Sequence, residues 1–299
     1  MKKIILFTVC VFFGISAIQA QNQFQHEVSV NAGGGLSSLL YSPEFGSQSN
    51  SFGGKFGAGY TFFFAPQWGV TTGIEAAFYN SSFEGNCNVY YKIATPPGIT
   101  GDFFFDANFK NYEETQKAVL LQIPLMLQFQ TIGKHKFYAA LGGRIGLPIS
   151  ASYESKGSVY ARGYSEFTAN YYDENDNNLL FGNFDVNASK ESKDLDLNVA
   201  IMGALEAGMK WNLGNQWNLY TGIYFDYAFN NVRKNDADKE LIVYNANGNH
   251  QFNSMVQSKY NNKQIIEKIN PIAFGFKASL SFGFGKQLKD PRIAEEKVK

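Results

Sequence analysis

Cysteine is almost absent. The 299-residue chain has two, and Cys10 lies in the apolar stretch at its start. Without that stretch only Cys87 remains, so no internal disulfide can staple the mature chain. Histidine is scarce too, at three residues, which leaves few candidates for acid–base chemistry. Neither sign of charge dominates, with 26 basic and 26 acidic residues. That balance argues against a general nucleic-acid binder. Beyond the opening stretch, no apolar run approaches the roughly 18 residues of a membrane-crossing helix. Such a chain can enter a membrane only as a closed sheet, because backbone groups in lipid must pair internally.

Aromatic residues are abundant at 16%, with 29 glycines. The clearest pattern runs from Asp194 to Asn230 and alternates with period two, the signature of strands. Leu195, Leu197, Val199, Ile201, Leu205, Met209 and Trp211 share one face of its first half. The opposite face carries Asp196, Asn198, Glu206, Gly208 and Lys210. After a polar turn at 212–216, Leu219, Ile223, Phe225 and Phe229 oppose Asn218, Gly222, Tyr224 and Asp226. These strands exceed the usual 5–6 residues and suit a tilted bilayer crossing of about 9–11. One face is bulky and apolar; the other mixes small residues with charges, the pattern of a membrane barrel.

Residues 1–20 read as a secretory signal peptide: Lys2 and Lys3, an apolar run, then small residues up to Ala20. The remaining strands are predicted at 27–40, 51–64, 68–78, 118–130, 137–151 and 269–284, with a charged periplasmic tail at 285–299. Short turns at 65–67, 131–136 and 212–216 alternate with longer connections at 41–50, 79–117, 152–193 and 232–268. Short turns then face the periplasm and long loops the exterior. The fold class is all-β: a closed, antiparallel, eight-stranded transmembrane β-barrel spanning 21–284. A lipocalin-like barrel or β-sandwich also alternates. It would turn the apolar faces inward, and an eight-stranded barrel has too little room for so many large side chains.

The segment Leu121-Gln-Ile-Pro-Leu-Met-Leu-Gln-Phe129, the strand Tyr138-Ala-Ala-Leu-Gly-Gly-Arg144 and the aromatic–glycine strand Phe274 to Phe284 carry a resemblance. The chain resembles the OmpA-like or PorT-like eight-stranded outer-membrane β-barrel family. The resemblance implies an exported protein of the bacterial outer membrane and little about activity. The chain departs from the pattern by continuing past the last strand's aromatic. It also shows no peptidoglycan-binding domain, so cell-wall attachment is not implied.

Catalysis finds little support. His26 precedes the first strand, His135 sits in a periplasmic turn, and His250 reads as a solvated loop residue. Cys87 has no flanking histidine. Asp173, Asn175, Asp176 and Asn177 offer oxygens for calcium but lack the glycine and terminal glutamate of an EF-hand loop. No catalytic, cofactor or metal residues are assigned. Six charges fall on inward faces: Lys55, Glu75, Arg144, Glu206, Asp226 and Lys277. Balanced charges in a narrow lumen are expected to pair as a mid-height plug. The expected role is a non-enzymatic structural or binding barrel acting through its long loops. The alternatives are a narrow pore or subunit of a secretion or transport machine, then a lipid-modifying enzyme. Expected partners are outer-membrane lipid and lipopolysaccharide, with a protein partner at the loops or in a membrane complex, and no nucleic acid.

Overall fold

The computed structural model describes residues 25–96, 98–173, 181–186, 193–234, 239–245, 250–260 and 263–285. The expected signal peptide, all but the first residue of the tail, and Asn175, Asp176 and Asn177 lie outside them. Eight strands form the barrel: β1 (Gln25–Leu40), β2 (Phe52–Phe63), β3 (Trp68–Ile93), β4 (Phe103–Gln130), β5 (His135–Ser165), β6 (Ala200–Gly214), β7 (Trp217–Ala228) and β8 (Asn270–Gly285). Each pairs antiparallel with the next, and β8 closes the ring on β1. Closure removes the free edges that an open sheet leaves unpaired.

Short turns gather at one end. The β6–β7 turn places Asn215 and Gln216 at φ 49° and 69°. Positive φ at both central residues gives the mirror-image turn that matches strand twist. On the outer surface Val30, Ile74, Leu125, Leu141, Ile201 and Phe276 stand exposed, as a lipid-facing band requires. Trp68, Trp211 and Trp217 ring the short-turn end of this band. Phe52, Phe78 and Phe229 mark the other end. From Trp68 to Phe78, strand rise of about 3.3 Å per residue inclined at about 40° gives a height near 25 Å, the thickness of such a band.

Above that band the structure differs from the expected long loops. Most of 79–117 is strand: β3 runs on to Ile93 and β4 begins at Phe103. β5 likewise extends through 152–165, inside the expected third connection. The physical reason is an inversion of polarity. In the membrane Val70, Ile74 and Phe78 point outward, whereas beyond it Asn80, Ser82 and Glu84 do, and Tyr79, Ser81 and Phe83 are buried. Water has replaced lipid outside, so apolar side chains turn inward. A reading that seeks apolar residues on the outward face stops at that border. At the start of the central hairpin, Leu195 is also buried, and strand β6 begins only at Ala200.

The extended strands enclose an apolar core that includes Phe83, Phe105, Phe109, Tyr112, Val159 and Phe181. The last connection folds down into it. Ile242, Met255, Val256, Ile265 and Ile266 are all buried there. The result is a β-walled dome seated on the barrel.

Candidate functional site: the closed lumen and its dome

Inward positions alternate with lipid-facing ones, so each strand delivers its polar face to the lumen. All six predicted charges arrive at one level. Arg144 joins three carboxylates: its Nη1 contacts Glu75, its Nη2 lies 2.5 Å from Glu206 Oε1, and its Nε lies 2.9 Å from Asp226 Oδ1. Lys55 Nζ donates to Asp226 Oδ2 at 2.8 Å and rests 3.7 Å from the centre of the Tyr224 ring. Lys277 Nζ donates to Glu75 Oε1 at 3.0 Å and Glu206 Oε1 at 2.8 Å. The side chains of Arg144 and Asp226 are fully buried. Small residues opposite them make this density reachable. A Cβ on Gly57 would come within 2.9 Å of Glu75 Cγ, and one on Gly33 within 3.1 Å of Tyr224 Cε1.

A second ionic layer lies nearer the periplasm, and the sequence reading missed it. Lys210 pairs with Glu27. Tyr220 Oη donates to Glu27 Oε2 at 2.6 Å, Ser281 Oγ does so at 3.2 Å, and Lys210 Nζ reaches Gln130 Oε1 at 3.3 Å. The signal was present: Lys210 stands on the polar face of its strand, and Glu27 alternates with Val28 and Val30. Between the layers is a cavity of about 50 Å³, room for a few waters rather than a channel. On the outer side, Gln122 Nε2 donates to Tyr79 Oη at 2.8 Å and to Met202 Sδ at 3.3 Å, closing the lumen again.

The dome is held by one buried carboxylate. Glu114 accepts from Tyr112 Oη at 2.6 Å, Gln116 Nε2 at 2.8 Å, Ser254 Oγ at 2.6 Å and the Met255 N–H at 2.9 Å. The last two belong to the folded-in connection, so Glu114 pins it to the wall. Burial raises the Glu114 carboxyl above its ordinary value, against donors that favour the charged form. Arg233 adds a second tie, its Nε donating to the Val256 carbonyl at 2.9 Å.

The remaining candidates do not assemble into a catalytic group. His250 is not solvated: it is buried in the dome against Phe105, Phe184 and Tyr244. Cys87 is a strand residue of the dome wall, and burial pushes its thiol up to about 12, far from the thiolate a nucleophile needs. His135 lies at the short-turn end against Trp211, and His26 belongs to β1. Among the described residues no group of three metal-ligating side chains is close enough to hold an ion.

A closed ring with a lipid-facing band, a polar filled lumen and short turns at one end defines an outer-membrane β-barrel. The model of the outer membrane protein β-barrel domain family matches residues 19–214, and the chain belongs to that family. It is a protein of the bacterial outer membrane. No curated relative matches the sequence. Among solved structures it is similar to Ail, the attachment invasion locus protein of Yersinia pestis, in complex with the heparin analogue sucrose octasulfate. That match has TM-score 0.31, 11% identity, 87% of this chain and 100% of that one. Outer membrane protein W of E. coli gives TM-score 0.31, 13% identity, 89% and 100%. The outer membrane protease OmpT from Escherichia coli gives 0.34, 9%, 89% and 98%. Scores at this level carry no argument about activity.

Proposed function

We propose that the protein is a non-conducting, non-enzymatic barrel that displays its extracellular dome as a structural or binding surface. The observation that carries this reading is the filled lumen. Six charges pair at mid-height, a Glu27–Lys210 layer backs them, and an apolar dome covers them. A pore needs a continuous aqueous path, and an eight-stranded barrel packed with side chains leaves none. The buried His250 and Cys87 support a role without catalysis. The dome is the part that reaches beyond the lipid. Liposome swelling tests the reading: vesicles carrying the refolded protein should exclude a small sugar as well as empty vesicles do. Swelling above that background would favour the pore.

A further inference from the structure

We propose that the outward face of the dome sheet is a glycan-binding site, and that its ligand is the acidic core oligosaccharide of the glycolipid around the barrel. The inference rests on the display reading and names what the displayed surface takes. Strands β3, β4 and β5 carry the face, extended by the short strand Gly182–Asp185. Register aligns Asn88, Asn108, Tyr160 and Asn183 in one row, one residue from each strand. The next row aligns Tyr90, Asp106 and Arg162. With Lys110, all but Tyr90 line a polar depression of about 520 Å³.

The chemistry of this depression fits an acidic sugar. Each amide offers a donor and an acceptor side by side, the pattern that paired ring hydroxyls present. Neighbouring strands lie about 4.8 Å apart, close to the width of a pyranose, so successive amides can meet one ring. Tyr90 lies stacked on Phe104 at 5.0 Å and is 40% exposed, a flat face for the C–H side of a sugar. Arg162 is fixed in place: its Nε donates to Asp106 Oδ2 at 2.8 Å, and its guanidinium lies 3.8 Å over the Tyr171 ring. That pairing satisfies Asp106. Lys110 has no ion-pair partner among the described residues, so the seven residues lining the depression carry one cation in excess, with Asp185 outside the lining in the row of Lys110, two strands away. A phosphate or sugar carboxylate complements it.

Position selects the source. The face lies on the outer side of the wall above the lipid-facing band: on β3 the outward alternation runs unbroken from Phe78 to Asn88, and on β4 and β5 irregularities shift it by one residue on the way. Asn88 lies about 25 Å above the outer aromatic ring, by strand rise and tilt. It faces sideways at that height, where the membrane presents glycolipid sugars and no acyl chains.

The test uses the full barrel refolded into phosphatidylcholine nanodiscs. The probe is core oligosaccharide released from rough-type lipopolysaccharide by mild acid, with binding followed by calorimetry. The oligosaccharide should bind and the double variant N88A/N108A should bind about tenfold more weakly, the loss of two neutral hydrogen bonds. Both asparagines are exposed, so the variant should keep its heat-modifiable gel shift. Inorganic phosphate and a neutral maltooligosaccharide should each fail to compete. Equal binding by the variant, or no binding at all, would overturn the site. Competition by phosphate alone would reduce it to charge, and competition by the neutral sugar would remove the acidic ligand. Binding of intact lipopolysaccharide without its freed oligosaccharide would assign the contact to acyl chains. None of these readouts involves conductance, so the site and the closed lumen stand or fall separately.

Discussion

Replacing Arg144 with alanine should destabilise the barrel severely. The guanidinium is shared by Glu75, Glu206 and Asp226. Without it, these three carboxylates face two cations, Lys55 and Lys277. One negative charge is then left unpaired in a dry site, which costs about 3–5 kcal/mol. Against a total stability of about 5–15 kcal/mol that is a large fraction. With a urea m-value of about 2 kcal/mol/M, the unfolding midpoint should fall by about 1.5–2.5 M. The assay is urea unfolding in lipid vesicles, read from Trp68, Trp211 and Trp217, which all sit on the lipid face. The double variant R144M/E206Q supplies the decisive comparison. It leaves Lys277 on Glu75 and Lys55 on Asp226, at 3.0 and 2.8 Å, with no excess charge. Stability should therefore return most of the way. A double variant no more stable than the single one would refute the pairing argument, as would an unshifted midpoint in R144A.

Glu114 gives a pH dependence outside the membrane. Burial raises its folded-state value, so its contribution is full below the unfolded value, about 4.3, and is lost as pH rises through the raised one. Amides of Met255–Gln257 should thus exchange more freely at pH 8 than at pH 5, after correction for intrinsic rates, and E114Q should erase that difference; persistence in E114Q contradicts the assignment. Cysteine scanning in a Cys87→Ser background should label Ser82 and Glu154 from outside intact cells but neither Phe105, which is buried, nor Asn215, in a periplasmic turn. Labelling of Asn215 from outside would invert the topology.

The barrel was legible because lipid enforces one rule on every strand: apolar out, polar in. Val119 to Phe129 and Leu219 to Phe229 obey it at nearly every step, and their short-turn ends fall where expected, with Gln130 closing β4 and Trp217 opening β7, although β4 begins at Phe103 rather than 118. The dome was not legible by that rule, since Tyr79 and Phe83 point inward where Val70 and Phe78 point outward. Alternation persists across the border, but its sign changes with the solvent. Two irregularities hide it further: the β4 register shifts between Lys110 and Glu113, and again near Val119. The six mid-height charges could be placed because each sits on a strong strand. Glu27 escaped because β1 is glycine-rich and its apolar face is weak. The Glu114 clamp escaped because its partners Ser254 and Met255 lie 140 and 141 residues away, beyond any local pattern.

Planar-bilayer recording of the unmodified, refolded protein tests the closed lumen most directly. The paired layers at Arg144 and at Glu27–Lys210, covered by the dome, predict a silent membrane across the voltage range. Steady, reproducible conductance steps would contradict that prediction and show a continuous path for ions through the barrel.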